Sequence, residues 1–139
     1  MKSSKHRLYS LSSWLFIVLS TVACVAPTPP PAAGGVTVTF RVVQEEYKIR
    51  LTDPADIAIA RQLLNGEAAP SIPNGVVVRG DSDVNIGYTW HIDPDSVEFV
   101  DVTTEVCDGL PSDVEQGIIT SEYYCPWAAE VIAIEDVNP

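Results

Sequence analysis

Val36, Val38, Phe40 and Val42 alternate with Thr37, Thr39 and Arg41, the period-two pattern of a strand with one face buried. Glu45 and Glu46 break the apolar run, and Tyr47, Ile49 and Leu51 then resume the same alternation. Two such stretches this close predict an antiparallel hairpin, although no Asn-Gly or Asp-Gly turn lies between them. The period then changes. Thr52 or Asp53 is placed to cap a helix with Pro54 in its first turn, and Asn65-Gly66 supplies residues that tolerate the backbone that closes one. The predicted helix runs to about Leu64, with Ile57, Ala60 and Leu64, joined by Ala58 and the stem of Arg61, on its packed face.

Pro70, Pro73 and Asn74-Gly75 mark residues 67–75 as a loop, followed by a short buried strand at Val76, Val77 and Val78. Residues 79–87 form the next loop. Tyr88, Trp90 and Ile92 point inward from a third alternating stretch, Asp93-Pro94-Asp95-Ser96 makes a turn, and residues 97–102 give another strand. One or two helical turns are expected over 111–117, and Val131 to Ile134 form the last strand. The sum is an α+β domain over 36–136: a mainly antiparallel sheet of about six strands, one main helix on a sheet face, one short helix and one disulfide.

The first 35 residues follow other rules. Lys2, Lys5 and Arg7 precede the apolar run Trp14-Leu15-Phe16-Ile17-Val18-Leu19, the arrangement of an export signal. Leu19-Ser20-Thr21-Val22-Ala23-Cys24 resembles the lipobox of bacterial lipoproteins, with Thr21 standing where Leu is preferred. This reading makes 1–23 a signal peptide, Cys24 the lipid-bearing residue and 24–35, with its four prolines, an extended membrane tether. Two alternatives stay open. Cleavage after Ala23 would release a soluble chain with a free Cys24, and a retained membrane span would need about 20 apolar residues, more than this run offers. Acyl chains on Cys24 would hold the domain on the cell envelope outside the cytoplasm, on a membrane that the sequence leaves undetermined.

Lipidation also accounts for the odd number of cysteines. With Cys24 modified, Cys107 and Cys125, 18 positions apart, remain to pair in an oxidising compartment. Closing a loop of that length stabilises by about 3 kcal/mol in the chain-entropy model, and the bridge is expected to staple the short helix to the sheet.

The 139-residue chain carries a formal charge of −11; beyond the leader, 5 basic residues face 19 acidic ones, a balance of −14 (5 − 19). Such a field repels phosphate backbones, so no nucleic-acid role is expected. It reads as a solvated acidic surface, or as one that recruits a basic partner or divalent cations. Asp81, Asp83 and Asn85 have the spacing that begins a calcium loop, but Ile86 stands where that loop needs Gly, and Ile92 where it needs Glu. A polar turn is the expectation there. His91, the only histidine beyond the leader, falls on the face opposite Trp90 and reads as a surface or edge residue. The acidic pairs Asp93/Asp95 and Glu105/Asp108 read as local supports for turns, since a domain this small has little wall for a sugar cleft. No catalytic residue, metal or cofactor is assigned.

The series Glu46-Tyr47-Lys48-Ile49, Leu51-Thr52-Asp53-Pro54, Trp90-His91-Ile92-Asp93-Pro94, Glu105-Val106-Cys107-Asp108 and Cys125-Pro126-Trp127 resembles a small family named after the N-terminal domain of a calmodulin-binding protein. Tyr124 departs from it, since the family usually has Trp before that cysteine. The resemblance implies a compact exported domain, the Cys107 and Cys125 pair and no established activity. It does not bring calmodulin as a partner, because the helix expected over 54–64 has Arg61 as its single base. Trp127 is expected to cover the disulfide; exposed, it would instead mark a partner surface. The functional expectation is a lipid-anchored, non-catalytic binding domain for an envelope or extracellular molecule, protein included. Its rivals are a small hydrolase using acidic residues and a passive structural envelope protein.

Overall fold

A computed structural model describes residues 34–137; the signal segment, Cys24 and most of the tether lie outside the described residues. The strands are β1 (Val36–Val42), β2 (Glu45–Leu51), β3 (Ile72–Arg79), β4 (Trp90–Ile92), β5 (Glu98–Val100), β6 (Tyr123–Tyr124) and β7 (Ala129–Asp136). The helices are α1 (Pro54–Leu64) and α2 (Pro111–Glu115), with 3-10 turns at Pro94–Ser96 and Glu105–Cys107. The α+β class holds, with the strands divided between two antiparallel sheets.

The first sheet has the order β2-β1-β7. The expected hairpin is present, but Val42 pairs with Glu45, so Glu45 and Glu46 belong to β2 and the turn is Val43-Gln44. Val43 has φ of 61°, the positive value that a type II′ turn requires at its first central residue and that Gly usually supplies. On the other side β1 pairs with β7 from Val36↔Asp136 to Val42↔Ala129. Thr39 faces Ala133 and Phe40 faces Val131, which leaves Ile132 as the extra residue of a bulge. The domain's first and last strands thus lie side by side at its centre.

β3 is the hub of the second sheet. Ile72 to Asn74 pair with β5, Gly75 and Val76 with β6, and Val77 to Arg79 with β4. Val76, between the two longer pairings, donates its N–H to Ser96 Oγ at 2.9 Å and accepts from the N–H of Asp93 at 2.9 Å, so the Pro94–Ser96 turn fills the gap in the ladder. The strand starts earlier than expected, with Pro73 inside it. Backbone groups of Val77 turn toward the β6 side, where its N–H meets the Glu122 carbonyl. Pro73, four residues earlier, turns the same way at a point where β6 offers no partner, so its missing N–H costs no ladder bond. At Gly75 a Cβ would lie 2.4 Å from Ile92 Cγ2, and that position has to be glycine.

α1 starts and stops where its caps dictate. Asp53 Oδ1 accepts from the Ala55 N–H at 2.7 Å, and Asn65 closes the helix ahead of Gly66 at φ +75°. Its packed face differs in detail from the expected one: Ile57 and Ala60 are buried, Ile59 and Leu63 are half-buried against the core, and Leu64 is exposed. The core lies between the sheets. Tyr47 stacks on Phe40 at 5.4 Å, lies 5.9 Å from Trp90 and meets Tyr124 edge-on at 5.3 Å. Around this group close Val36, Val38, Ile49 and Leu51 of the first sheet, Ile92 and Phe99 of the second, and Val114 of α2.

The Cys107–Cys125 disulfide is formed, with Cα atoms 5.1 Å apart. Contrary to expectation it does not staple the short helix to the sheet. It joins the Glu105–Cys107 turn to the residue following β6, and the N–H of Cys125 donates to the Cys107 carbonyl at 2.8 Å beside it. α2 sits inside the closed loop and is held by other means. Glu45 accepts from the N–H and hydroxyl of Ser112, both at 2.8 Å, at its start; Arg79 donates to the Val114 carbonyl at its end. Glu115 accepts from the N–H and hydroxyl of Thr89, each at 2.9 Å.

Candidate functional site

β2 is an edge strand of the first sheet, so the backbone groups on its outer side need partners from elsewhere. The loop over 80–89 supplies one. Asn85, buried although polar, accepts from the Lys48 N–H at 3.0 Å through Oδ1 and donates through Nδ2 to the Trp90 carbonyl at 3.0 Å. One amide therefore joins the edge of the first sheet to β4 of the second. Ser82 shapes the loop ahead of it, its hydroxyl accepting from the Val84 N–H at 3.0 Å.

Folding the loop this way opens a cleft of about 360 Å³ beside the junction. Arg50 of β2, Asp81, Ser82, Asp83 and His91 of β4 supply its polar lining, and Val84, Ile92 and Pro94 its apolar part. A volume of this order suits a small molecule. Two of its nitrogen atoms, Arg50 Nε and His91 Nδ1, are buried and have no partner among the described residues. Buried polar atoms are nearly always paired, so two such atoms lining one cleft mark it out.

Arg50 is unusual within this chain for a second reason. Arg41 pairs with Glu130 at 2.6 Å, Lys48 lies 3.9 Å from Glu135, Arg61 pairs with Asp136 at 2.9 Å and Arg79 donates to a carbonyl. Among the described residues Arg50 is the one Arg or Lys with neither an ion pair nor a hydrogen bond from its side chain, in a domain rich in carboxylates.

The calcium-like trio is divided by this arrangement. Asp81 and Asp83 line the cleft, while Asn85 turns inward and commits both ends of its amide to backbone. Among the described residues no group of three or more His, Cys, Asp or Glu is placed to hold a metal ion. His91 is half-buried on β4 rather than a free surface residue. Ser82, His91 and two aspartates share the cleft, yet no side-chain hydrogen bond among the described residues links serine to histidine or histidine to carboxylate. The nucleophile–base and base–orienter pairs of a triad are not assembled.

The acidic pairs act locally. Asp93 Oδ1 accepts from the Asp95 N–H at 3.1 Å as the cap of its turn, and Asp108 Oδ1 accepts from the Trp127 N–H at 2.8 Å. Glu105 and Asp95 are exposed. A second hollow, of about 340 Å³, is lined by Asp53, Asp56 and Asp95; burial, with the charges of Asp53 and then Glu98 added, raises the Asp56 carboxyl above its usual range. Trp127 does not cover the disulfide as core: it is 46% exposed, and Val106 is more exposed still.

Residues 35–138 match the N-terminal domain family whose namesake is a calmodulin-binding protein, the one that the sequence resembles. The chain belongs to that family. No curated protein and no solved structure matches it. In this member of the family the segments most distinctive in sequence are structural. Cys107 and Cys125 form the bridge, Asp108 fastens Trp127, and Tyr124 turns its hydroxyl to the Gly109 carbonyl at 3.0 Å. The cleft draws on the less distinctive ones. Arg50 was missed by sequence reasoning: its alternation with Ile49 and Leu51 places it outward, which is correct, but nothing local shows that a loop more than thirty residues away closes over it.

Proposed function

We propose that this N-terminal-domain family member is the ligand-binding part of an exported lipoprotein, held on the cell envelope by acyl chains on Cys24, and that it binds without transforming what it binds. The observation that carries the reading is the cleft at the sheet junction with the unpartnered Arg50 Nε and His91 Nδ1 in its lining. Unpaired groups of this kind are what a ligand satisfies on binding. The anchor rests on the lipobox-like run ending at Cys24, and it confines the ligand to the envelope or the exterior. Neither calmodulin nor nucleic acid is a partner in this reading.

Two measurements test it. Labelled fatty acid enters the wild-type chain and not a Cys24→Ser form; equal labelling removes the anchor. Envelope extracts passed over the immobilised Cys24→Ser chain leave a ligand that an Arg50→Gln, His91→Gln form does not retain; equal retention by both forms removes the cleft as the binding site.

The hydrolase reading has one feature in its favour, the shared location of Ser82, His91, Asp81 and Asp83. Turnover of ester or glycan substrates that is lost in Asp83→Asn or His91→Gln would establish it against the binding reading.

A further inference from the structure

The cleft lining carries both signs of charge, and the two signs come from different elements. Arg50 and His91 belong to β2 and β4, while Asp81 and Asp83 belong to the loop that folds across them. No salt bridge joins the two sets among the described residues, so each retains its capacity for a partner. We propose that the cleft binds a small zwitterion of the α-amino-acid type, its carboxylate received by Arg50 and His91 and its ammonium by Asp81 and Asp83. The proposal rests on the reading of the cleft as a ligand site and specifies the class.

Charge decides against the simpler ligands. An anion meeting Arg50 would also face Asp81 and Asp83, within a chain whose part beyond the leader has a balance of −14 (5 − 19). A cation drawn to the aspartates would leave the buried Arg50 Nε unsatisfied and set like charges together. A ligand that is neutral as a whole but charged at both ends escapes both penalties. A guanidinium also matches a carboxylate in shape, offering parallel N–H donors to its two oxygens.

Shape argues in the same direction. Sugars bind best where an aromatic face covers their C–H side, and the apolar part of this lining is Val84, Ile92 and Pro94, aliphatic throughout. Those three residues suit a small aliphatic side chain. The volume of about 360 Å³ accommodates an amino acid and not a long oligomer.

The test is a titration of the full chain, kept in detergent micelles, followed by the Arg50 Nε–H and His91 ring resonances. The probes are L-alanine, propanoate, which lacks the amine, ethylamine, which lacks the carboxylate, and glucose as a neutral polyol. Alanine produces a saturable shift at both residues, and propanoate and ethylamine bind at least about tenfold more weakly, the loss expected from one charge-assisted contact. Arg50→Gln and Asp83→Asn each weaken alanine by a similar factor while leaving the urea midpoint in place, since neither side chain has a partner to lose. Propanoate, ethylamine or glucose binding as tightly as alanine overturns the zwitterion and leaves the cleft as a ligand site. No saturable shift with any of the four overturns both.

Discussion

Asn85 shows how much a single side chain carries in this fold. Its amide completes two backbone groups on different sheets, the Lys48 N–H and the Trp90 carbonyl, at a point where neither sheet offers a neighbouring strand. Asn85→Ala leaves both groups unpaired beside a closed core, and at about 1–3 kcal/mol for each orphaned group the variant loses about 2–4 kcal/mol of stability. Urea unfolding measures that loss directly; a change below about 0.5 kcal/mol, the range of an ordinary surface substitution, would show that the amide does not join the sheets. The same residue marks a limit of sequence reasoning. Asn85 stands third in a run of oxygen-bearing side chains, which suggests a cation loop, whereas its real partners include a backbone atom 37 residues away. Backbone partners have no residue identity to notice, so no pattern in the chain points to them.

At the scale of elements, legibility follows the range of the forces involved. α1 could be read to its ends because cap, proline and stop are all within its own residues. The early part of β3 and the two-residue β6 could not, because Pro73 and Gly75 look like loop until their partners Phe99 and Tyr124 are known. α2 is also defined from outside. Two bonds from Ser112 to Glu45 fix its start, and Glu45 lies 67 residues earlier. Glu45→Ala removes a charge-assisted cap and lowers stability by about 1–2 kcal/mol, with faster hydrogen exchange in α2 than in β1 as the local signature. The disulfide acts on the same segment through the unfolded chain. Replacing Cys107 and Cys125 together by Ser releases an 18-residue separation and costs about 3 kcal/mol in urea unfolding. Since the bridge encloses α2 without touching it, the Glu45 and double-Ser losses should add to within about 0.5 kcal/mol. A larger discrepancy would mean that the bridge positions the helix after all.

For the molecule as a whole, the two phenols between the sheets tie folding to alkaline pH. Burial raises the ionisation of Tyr47 well above its ordinary value near 10, and burial followed by the neighbouring Tyr47, Asp108, Glu45 and Tyr88 does the same for Tyr124. Above about pH 10 the unfolded chain has released both protons and the folded chain has kept them, so the folded state binds more protons and stability falls as pH rises. Below that value both states hold them and the contribution is constant. Two phenols give a slope of about 2.7 kcal/mol per pH unit, twice the single-group value. Urea midpoints taken from about pH 8 to about pH 11 trace the decline. Tyr47→Phe separates this cause from any other: the hydroxyl has no partner among the described residues, so its removal leaves neutral-pH stability unchanged or higher and halves the alkaline slope. Tyr124→Phe halves the slope too, but loses the bond to the Gly109 carbonyl and about 1 kcal/mol at neutral pH. An alkaline slope identical in wild type and Tyr47→Phe would mean that the Tyr47 phenol ionises within the folded state, and that the space between the sheets admits water.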